Sequence, residues 1–111
     1  MDTFGQQFYA EQLDYLARKD VDGLIDHHYN DDALLVGFDW TVRGRDALKT
    51  HFRGYLQMLG FIEVVSTDKF KDTGDTLFLE ATVKTALGTA KVYDALVLRD
   101  GKIAYHFTGV K

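Results

Sequence analysis

No cysteine and no proline occur in the 111-residue sequence. Without cysteine there can be no disulfide, thiolate zinc site, iron–sulfur ligation or thiol nucleophile. Average usage of about 5% would supply about five prolines, so turns here fall to the ten glycines and to Asp and Asn. Positive charge is scarce as well. Thirteen Lys+Arg against 17 Asp+Glu give a net charge of −4, and no nucleic-acid partner is expected, because that grip needs clustered basic residues. No apolar run reaches the roughly 20 residues of a membrane-spanning helix. The start, Met1-Asp2-Thr3-Phe4-Gly5, lacks the basic and apolar stretches of a signal peptide. A cytoplasmic protein without a membrane partner is expected. Also missing are the Walker phosphate loop, Gly-x-Gly-x-x-Gly, His-Glu-x-x-His and Gly-x-Ser-x-Gly, the usual parts of nucleotide, zinc-protease and serine-hydrolase chemistry.

What the chain does contain is enough apolar residue, 46%, to bury a core, and a single domain over 1–111 is expected. The first half has helical spacing. Tyr9, Leu13, Leu16 and Ala17 share one face, with Phe4, Phe8 and Tyr15 roughly opposite. Asp20 is placed to cap a second helix that aligns Val21, Leu24, Ile25 and His28, and Tyr29-Asn30-Asp31-Asp32 ends it. Ala33–Val36 forms a short strand. A third helix follows Val42-Arg43-Gly44, with Leu48, Phe52, Tyr55 and Leu59 as its stripe and His51 at the edge. The second half reads as strands near 61–70, 76–86, 89–99 and 102–110, separated by Thr73-Gly74, Leu87-Gly88 and Asp100-Gly101 turns. The fold class is α+β, with N-terminal helices packed on a curved antiparallel sheet.

Pairing the strands through those turns gathers the aliphatic residues on one face. The other face carries Glu63, Lys69, Glu80, Lys84, Lys91 and Arg99 among Phe78, Tyr93 and Val97. One inner row reads Ser66, Ala81, Asp94, Phe107, and Asp68 falls on the same face nearer the strand end. A carboxylate in apolar surroundings is costly unless paired, and desolvation raises its pKa, which prepares an acid or base for work near neutrality. Asp94 therefore either anchors a pocket or caps a backbone group or bonds a buried Tyr or His. Asp39 and Trp40, just after the first strand, can reach a cavity mouth or serve as a turn Asp and a partly buried Trp. His28, central on its helix stripe, is a ligand contact or a satisfied core residue. His51 and Tyr55 sit at the core edge, and His106 is expected on the outer face. No metal site is expected from Asp26, His27, Asp31 and Asp32, since neighbouring helical positions diverge by about 100°.

Three motifs, in order, carry a resemblance: Asp20-Val21-Asp22-Gly23-Leu24-Ile25 running to Tyr29-Asn30-Asp31-Asp32-Ala33, then Val42-Arg43-Gly44-Arg45-Asp46-Ala47-Leu48, then Leu98-Arg99-Asp100-Gly101-Lys102-Ile103. Together they resemble the nuclear transport factor 2-like superfamily, in particular its SnoaL-like branch. The resemblance implies a cone-shaped α+β roll of the cystatin-like kind, closed over an apolar cavity and commonly homodimeric. Its ketosteroid isomerase relatives place catalytic groups where this chain has Gln12, Gly37 and Lys91, so their constellation does not carry over. Asp94 matches an acidic position that polyketide-cyclase relatives use as general acid/base. The resulting expectation is a small apolar or aromatic ligand anchored by Asp94, with Ser66, Tyr55, Asp39 and His28 as polar contacts and Trp40, Phe107 and Tyr29 as walls. Isomerase or cyclase chemistry would need no metal or cofactor. Such binding calls for a cavity of roughly 300 Å³. The alternative is a non-catalytic scaffold that forms a homodimer through the outer sheet face, where aromatic residues favour an interface core.

Overall fold

A computed structural model describes residues 3–111; Met1 and Asp2, part of the stretch read for a leader, lie outside the described residues. Three helices come first. Helix α1 (Phe4–Arg18) opens on a reciprocal cap, in which Gln6 N donates to Thr3 Oγ1 at 3.1 Å and Thr3 N donates to Gln6 Oε1 at 2.9 Å. It stops at Lys19, whose left-handed φ of 57° ends the helix. Asp20 then caps α2 (Val21–His28) by accepting from Gly23 N at 3.0 Å, as its position before the apolar stripe predicts. After two strands, α3 (Arg45–Leu59) buries Leu48, Phe52, Leu56 and Leu59.

The strands are β1 (Tyr29–Val36), β2 (Thr41–Arg43), β3 (Ile62–Asp72), β4 (Thr76–Thr85), β5 (Gly88–Arg99) and β6 (Lys102–Val110), ordered β2-β1-β6-β5-β4-β3 in one sheet. All neighbours are antiparallel except β1 and β6. Two features differ from the sequence expectation at this edge. Strand β2 is too short to show a period. Strand β1 begins at Tyr29 rather than Ala33, because partners hold its polar start in the sheet: Asn30 Nδ2 donates to Arg99 O at 3.1 Å, Asp31 pairs with Arg45 and Asp32 with Arg99. The helices cover the inner face, where Leu24, Ile25, Tyr29, Leu35, Leu48, Leu77 and Ile103 are fully buried. This is the cone-shaped α+β roll. Among the described residues no helix is long and apolar enough to cross a membrane.

Register decides which side chains reach the inner face. The Asp100-Gly101 turn pairs Arg99 with Lys102 and Leu98 with Ile103, as predicted. Beyond it Ala104 is an extra residue in β6, so Val97 faces Tyr105, Leu96 faces His106 and Asp94 faces Thr108. A bulge of one residue reverses every later side chain. The β4–β5 turn uses Ala86-Leu87 in place of Leu87-Gly88; that slides the pairing by two residues and preserves the faces, now setting Asp94 opposite Leu79. In β3 the pairs Ile62–Thr85 and Val64–Val83 are as expected, but bulges at Val65 and Asp68 move Ser66 opposite Thr82 and Thr67 opposite Ala81. The two reversals cancel, and Phe70 is back on the inner face. Such bulges bend and twist an edge strand, consistent with the sheet's curvature.

Candidate functional site

The inner face carries a line of polar side chains, each delivered by a different element. Asp94 projects from the middle of β5, and its Oδ1 lies 2.7 Å from His106 Nε2 of β6. His106 faces inward only because Ala104 displaces the register. On its other side, His106 Nδ1 lies 2.8 Å from Tyr29 Oη, at the junction where α2 passes into β1. Gln12 of α1 donates from Nε2 to Tyr29 Oη at 3.1 Å and accepts at Oε1 from His28 Nδ1 at 2.7 Å. The His28 ring stacks on Phe8, centroids 3.9 Å apart, and its Nε2 is 3.8 Å from the exposed carboxylate of Glu11. The line thus runs from Asp94 through His106, Tyr29 and Gln12 to His28.

Burial sets the electrostatics. It pushes His28 down to about 4, with a smaller repulsion from His27, so this imidazole is neutral at pH 7. Burial also raises the Tyr29 phenol; the Gln12 bond opposes that rise in part, and the charge of Asp94 adds a smaller contribution to it. The Tyr9 and Tyr55 phenols are raised the same way, by burial first and with Asp94 contributing. Three tyrosines therefore sense one carboxylate. Among the described residues no buried side-chain N or O atom lacks a hydrogen-bond partner, so the cost of placing these groups inside is met locally.

Asp94, His106 and Gln12 form the polar floor of a cleft of about 80 Å³, between Tyr9, Leu13 and Leu16 of α1 and Ile62, Val83 and Val92 of the sheet. Apart from Asp94, the lining holds no Asp, Glu, Lys or Arg. The cleft beside Asp94 is well below the roughly 300 Å³ that the binding reading called for, so that expectation of size is not met. A larger depression of about 590 Å³ near Asn30, Asp32 and Arg99 is an open surface laced by ion pairs, including Arg45–Asp31 at 2.6 Å and Arg99–Asp32 at 2.7 Å. Among the described residues no three His, Asp or Glu side chains gather to hold a metal ion.

The structure distributes the sequence-predicted residues unevenly. Asp94 is inward, with its side chain 22% exposed. Ser66 is corrected to the outer face: the Val65 bulge turns it to solvent, where its Oγ donates to Asp68 Oδ1 at 2.7 Å. Asp68 is likewise outside, accepting also from Thr82. Phe107 is corrected outward by the Ala104 bulge, 41% exposed and stacked beside Tyr105, and His106 is corrected inward. Tyr29 and His28 are buried links in the line rather than cavity walls. Tyr55, half-buried, stacks on His51 outside the cleft lining. Trp40 packs against Gly37 and His51 in the β1–β2 turn, and Asp39 at that turn is exposed, so neither lines the cleft. Sequence reasoning missed Gln12, whose signal was a lone amide four residues from both Phe8 and Leu16 on a helix face that is otherwise buried or half-buried.

Helices closing over a curved sheet in this order make an NTF2-like fold. Residues 7–106 match the SnoaL-like domain, and the chain belongs to that family. Similar solved structures include an NTF2-like protein from Anabaena variabilis, 17% identical with a TM-score of 0.83, covering 97% of this chain and 87% of that one. A proposed polyketide cyclase from Sinorhizobium meliloti is 15% identical with a TM-score of 0.80, covering 93% and 94%. TerC, crystallised with polyporic acid, is 16% identical with a TM-score of 0.81, covering 98% and 92%. These likenesses are of fold. No curated protein matches the sequence.

Proposed function

We propose that the chain binds a small, largely apolar molecule in the cleft and that Asp94, paired with His106, exchanges a proton with it. The observation that carries this reading is the carboxylate on the polar floor of a cleft with apolar walls, one oxygen held by His106 at 2.7 Å and the other given no hydrogen bond by the described residues. That free oxygen is an acceptor. The matching ligand group is a hydroxyl, an enol, an N–H or an acidic C–H beside a carbonyl. With no Lys or Arg in the lining, an anionic ligand has no counter-charge there. A cleft of about 80 Å³ encloses only the reacting end of such a molecule, and the remainder extends through the mouth. The proposed polyketide cyclase among the similar folds is compatible with this ligand class.

The test is a thermal-shift and calorimetric screen of small phenols and cyclic ketones against the native chain and Asp94→Asn. Binding by the native chain that is lost in the variant supports the anchor. Equal binding by both removes it. Where a compound turns over, general acid–base assistance is worth about 10²–10⁴-fold, and Asp94→Asn is expected to lose that much with its circular dichroism unchanged.

A second reading concerns the outer face. Phe78 is 53% exposed, Tyr105 47% and Phe107 41%, with Val97 between them on the same face. An apolar outer surface of this kind fits a second copy of the chain. Tyr93 closes over Gly109, leaving no room for a side chain there, so Tyr93→Glu would disturb the monomer itself. Phe107→Glu is the cleaner probe: sedimentation should show a dimer for the native chain and a folded monomer for the variant. A native monomer at tens of micromolar would discard the homodimer.

A further inference from the structure

We infer that Gln12 and His28 are positioning residues that give the buried hydrogen-bond line one direction, holding His106 as its neutral Nε2–H tautomer with Asp94 left as an acceptor. The direction follows from donor and acceptor chemistry. A carbonyl oxygen only accepts, so Gln12 Oε1 takes its hydrogen from His28 Nδ1, and the Gln12 amide must then donate from Nε2 to Tyr29 Oη. Tyr29 is fully buried, and its hydroxyl has two neighbours, Gln12 Nε2 at 3.1 Å and His106 Nδ1 at 2.8 Å. One of these already donates. The phenolic hydrogen therefore goes to His106 Nδ1, which must be bare. The remaining ring hydrogen sits on Nε2 and is given to Asp94 Oδ1 at 2.7 Å.

With the Gln12 amide turned so that Nε2 faces Tyr29, every other distribution leaves a buried group unmatched. An imidazolium at His106 would aim Nδ1–H at Tyr29 Oη, which would then accept twice while its own hydrogen found no acceptor among the described residues. A neutral Nδ1–H tautomer would set a bare Nε2 against a carboxylate oxygen, two lone pairs at 2.7 Å. The amide of Gln12 is the polarity switch, because turning it over would reverse each bond in the line. His28 holds it from one side and is itself fixed by stacking on Phe8. One consequence is distinctive: the two buried histidines carry their hydrogens on opposite nitrogens, His28 on Nδ1 and His106 on Nε2.

The chemical consequence rests on reading Asp94 and His106 as the working pair, whereas the tautomers do not, so the two fail separately. With His106 neutral and donating, the second Asp94 oxygen remains basic toward the cleft, takes a proton from the ligand and later returns it. No net proton crosses the Gln12 amide, so Gln12 orients without relaying.

The test is a two-bond ¹H–¹⁵N correlation spectrum of the whole chain with ¹⁵N-labelled histidine at pH 7. His106 should show a bare Nδ1 and a protonated Nε2, and His28 the reverse. In Gln12→Glu both side-chain oxygens accept, Tyr29 turns its hydrogen toward residue 12, and the bare Nδ1 signal of His106 should be lost to a protonated one. A protonated Nδ1 on His106 in the native chain would overturn the inference, as would an unchanged His106 in a folded Gln12→Glu at a pH where the carboxyl of residue 12 is ionised. Should that variant not fold, the native spectrum alone decides.

Discussion

Replacing Tyr29 with Phe removes one oxygen atom from the centre of the polar line and nothing else, since the ring keeps its place among Phe52 and His106 and no cavity opens. Two hydrogen bonds disappear with it. Their former partners, Gln12 Nε2–H and His106 Nδ1, are left in residues only 5% and 6% exposed. Stranding a buried polar group costs about 1–3 kcal/mol. Both groups border the cleft, where water can reach them, so the low end of that range, about 1–1.5 kcal/mol, applies to each and the sum is about 2–3 kcal/mol. Against a typical stability of about 5–15 kcal/mol the loss is large. At about 4 °C per kcal/mol for a domain near this size, it corresponds to a fall in Tm of about 8–12 °C. Urea titration followed by circular dichroism and by Trp40 fluorescence should give a lower midpoint with an unchanged m-value. Tyr93→Phe, which removes a half-buried hydroxyl outside the line, is the control and should cost no more than about 0.5 kcal/mol. A loss below about 0.5 kcal/mol for Tyr29→Phe would refute the reasoning, because it would mean that the hydroxyl satisfies no buried group.

Acid should weaken the fold in a defined window. His28 is held at about 4 in the folded chain against an ordinary 6.5, so as pH falls the unfolded chain takes up that proton first. Its contribution is complete above pH 6.5 and declines down to about 4, and burial of His51 acts in the same direction. Urea midpoints that stay flat between pH 6.5 and 4.5 would contradict this. Asp26, Asp32, Asp68 and Glu80, held below the usual carboxylate range chiefly by Lys49, Arg99, Ser66 and Lys111 respectively, add their losses only at lower pH. Gly37→Ala would put a Cβ 2.5 Å from Trp40 Cε2; the indole must move, and a red shift of the emission from this single Trp reports it. Asp20→Ala removes the α2 cap and should cost about 1 kcal/mol by denaturation, with an unchanged value excluding the cap.

Elements with strong local causes were legible before any coordinates. The Asp20 cap, the stripe through Val21, Leu24, Ile25 and His28, and the Asp100-Gly101 hairpin each rest on a few neighbouring residues, and each occurs where its chemistry places it. The β4–β5 turn was misplaced harmlessly, because a slide of two residues preserves side-chain alternation. Half of the site was legible for the same reason. Asp94 stood out as a carboxylate in an apolar row, and one of the alternatives left open for it, a bond to a buried His, is what the structure contains. His106 and Ser66 were assigned to the wrong faces because bulges leave little trace in a sequence. Ala104 and Val65 have no positive φ and are not glycine, so no turn chemistry announces them.

At β6 the sequence pattern pointed away from the observed register. Ile103, Tyr105 and Phe107 alternate as a buried strand face should, and an unbulged β6 would have hidden both rings and exposed His106. The bulge at Ala104 does the opposite, leaving Tyr105 47% and Phe107 41% exposed while His106 is 6% exposed. Taken alone this costs stability, since each large side chain left in water forgoes part of the about 1.5–3 kcal/mol that full burial contributes. Two returns offset it. Inside, His106 completes the hydrogen bonding of Tyr29 and Asp94, either of which would otherwise be stranded. Outside, Tyr105 and Phe107 extend the apolar surface begun by Phe78 and Val97, and a second copy covering it would recover the burial. The cleft and the proposed dimer face were first framed as rival accounts, yet one extra residue in β6 creates the conditions for both. A monomeric chain carrying the full Asp94–His106–Tyr29 line would therefore be less stable than its core composition implies, and dilution below the dissociation constant of the proposed dimer should lower the urea midpoint.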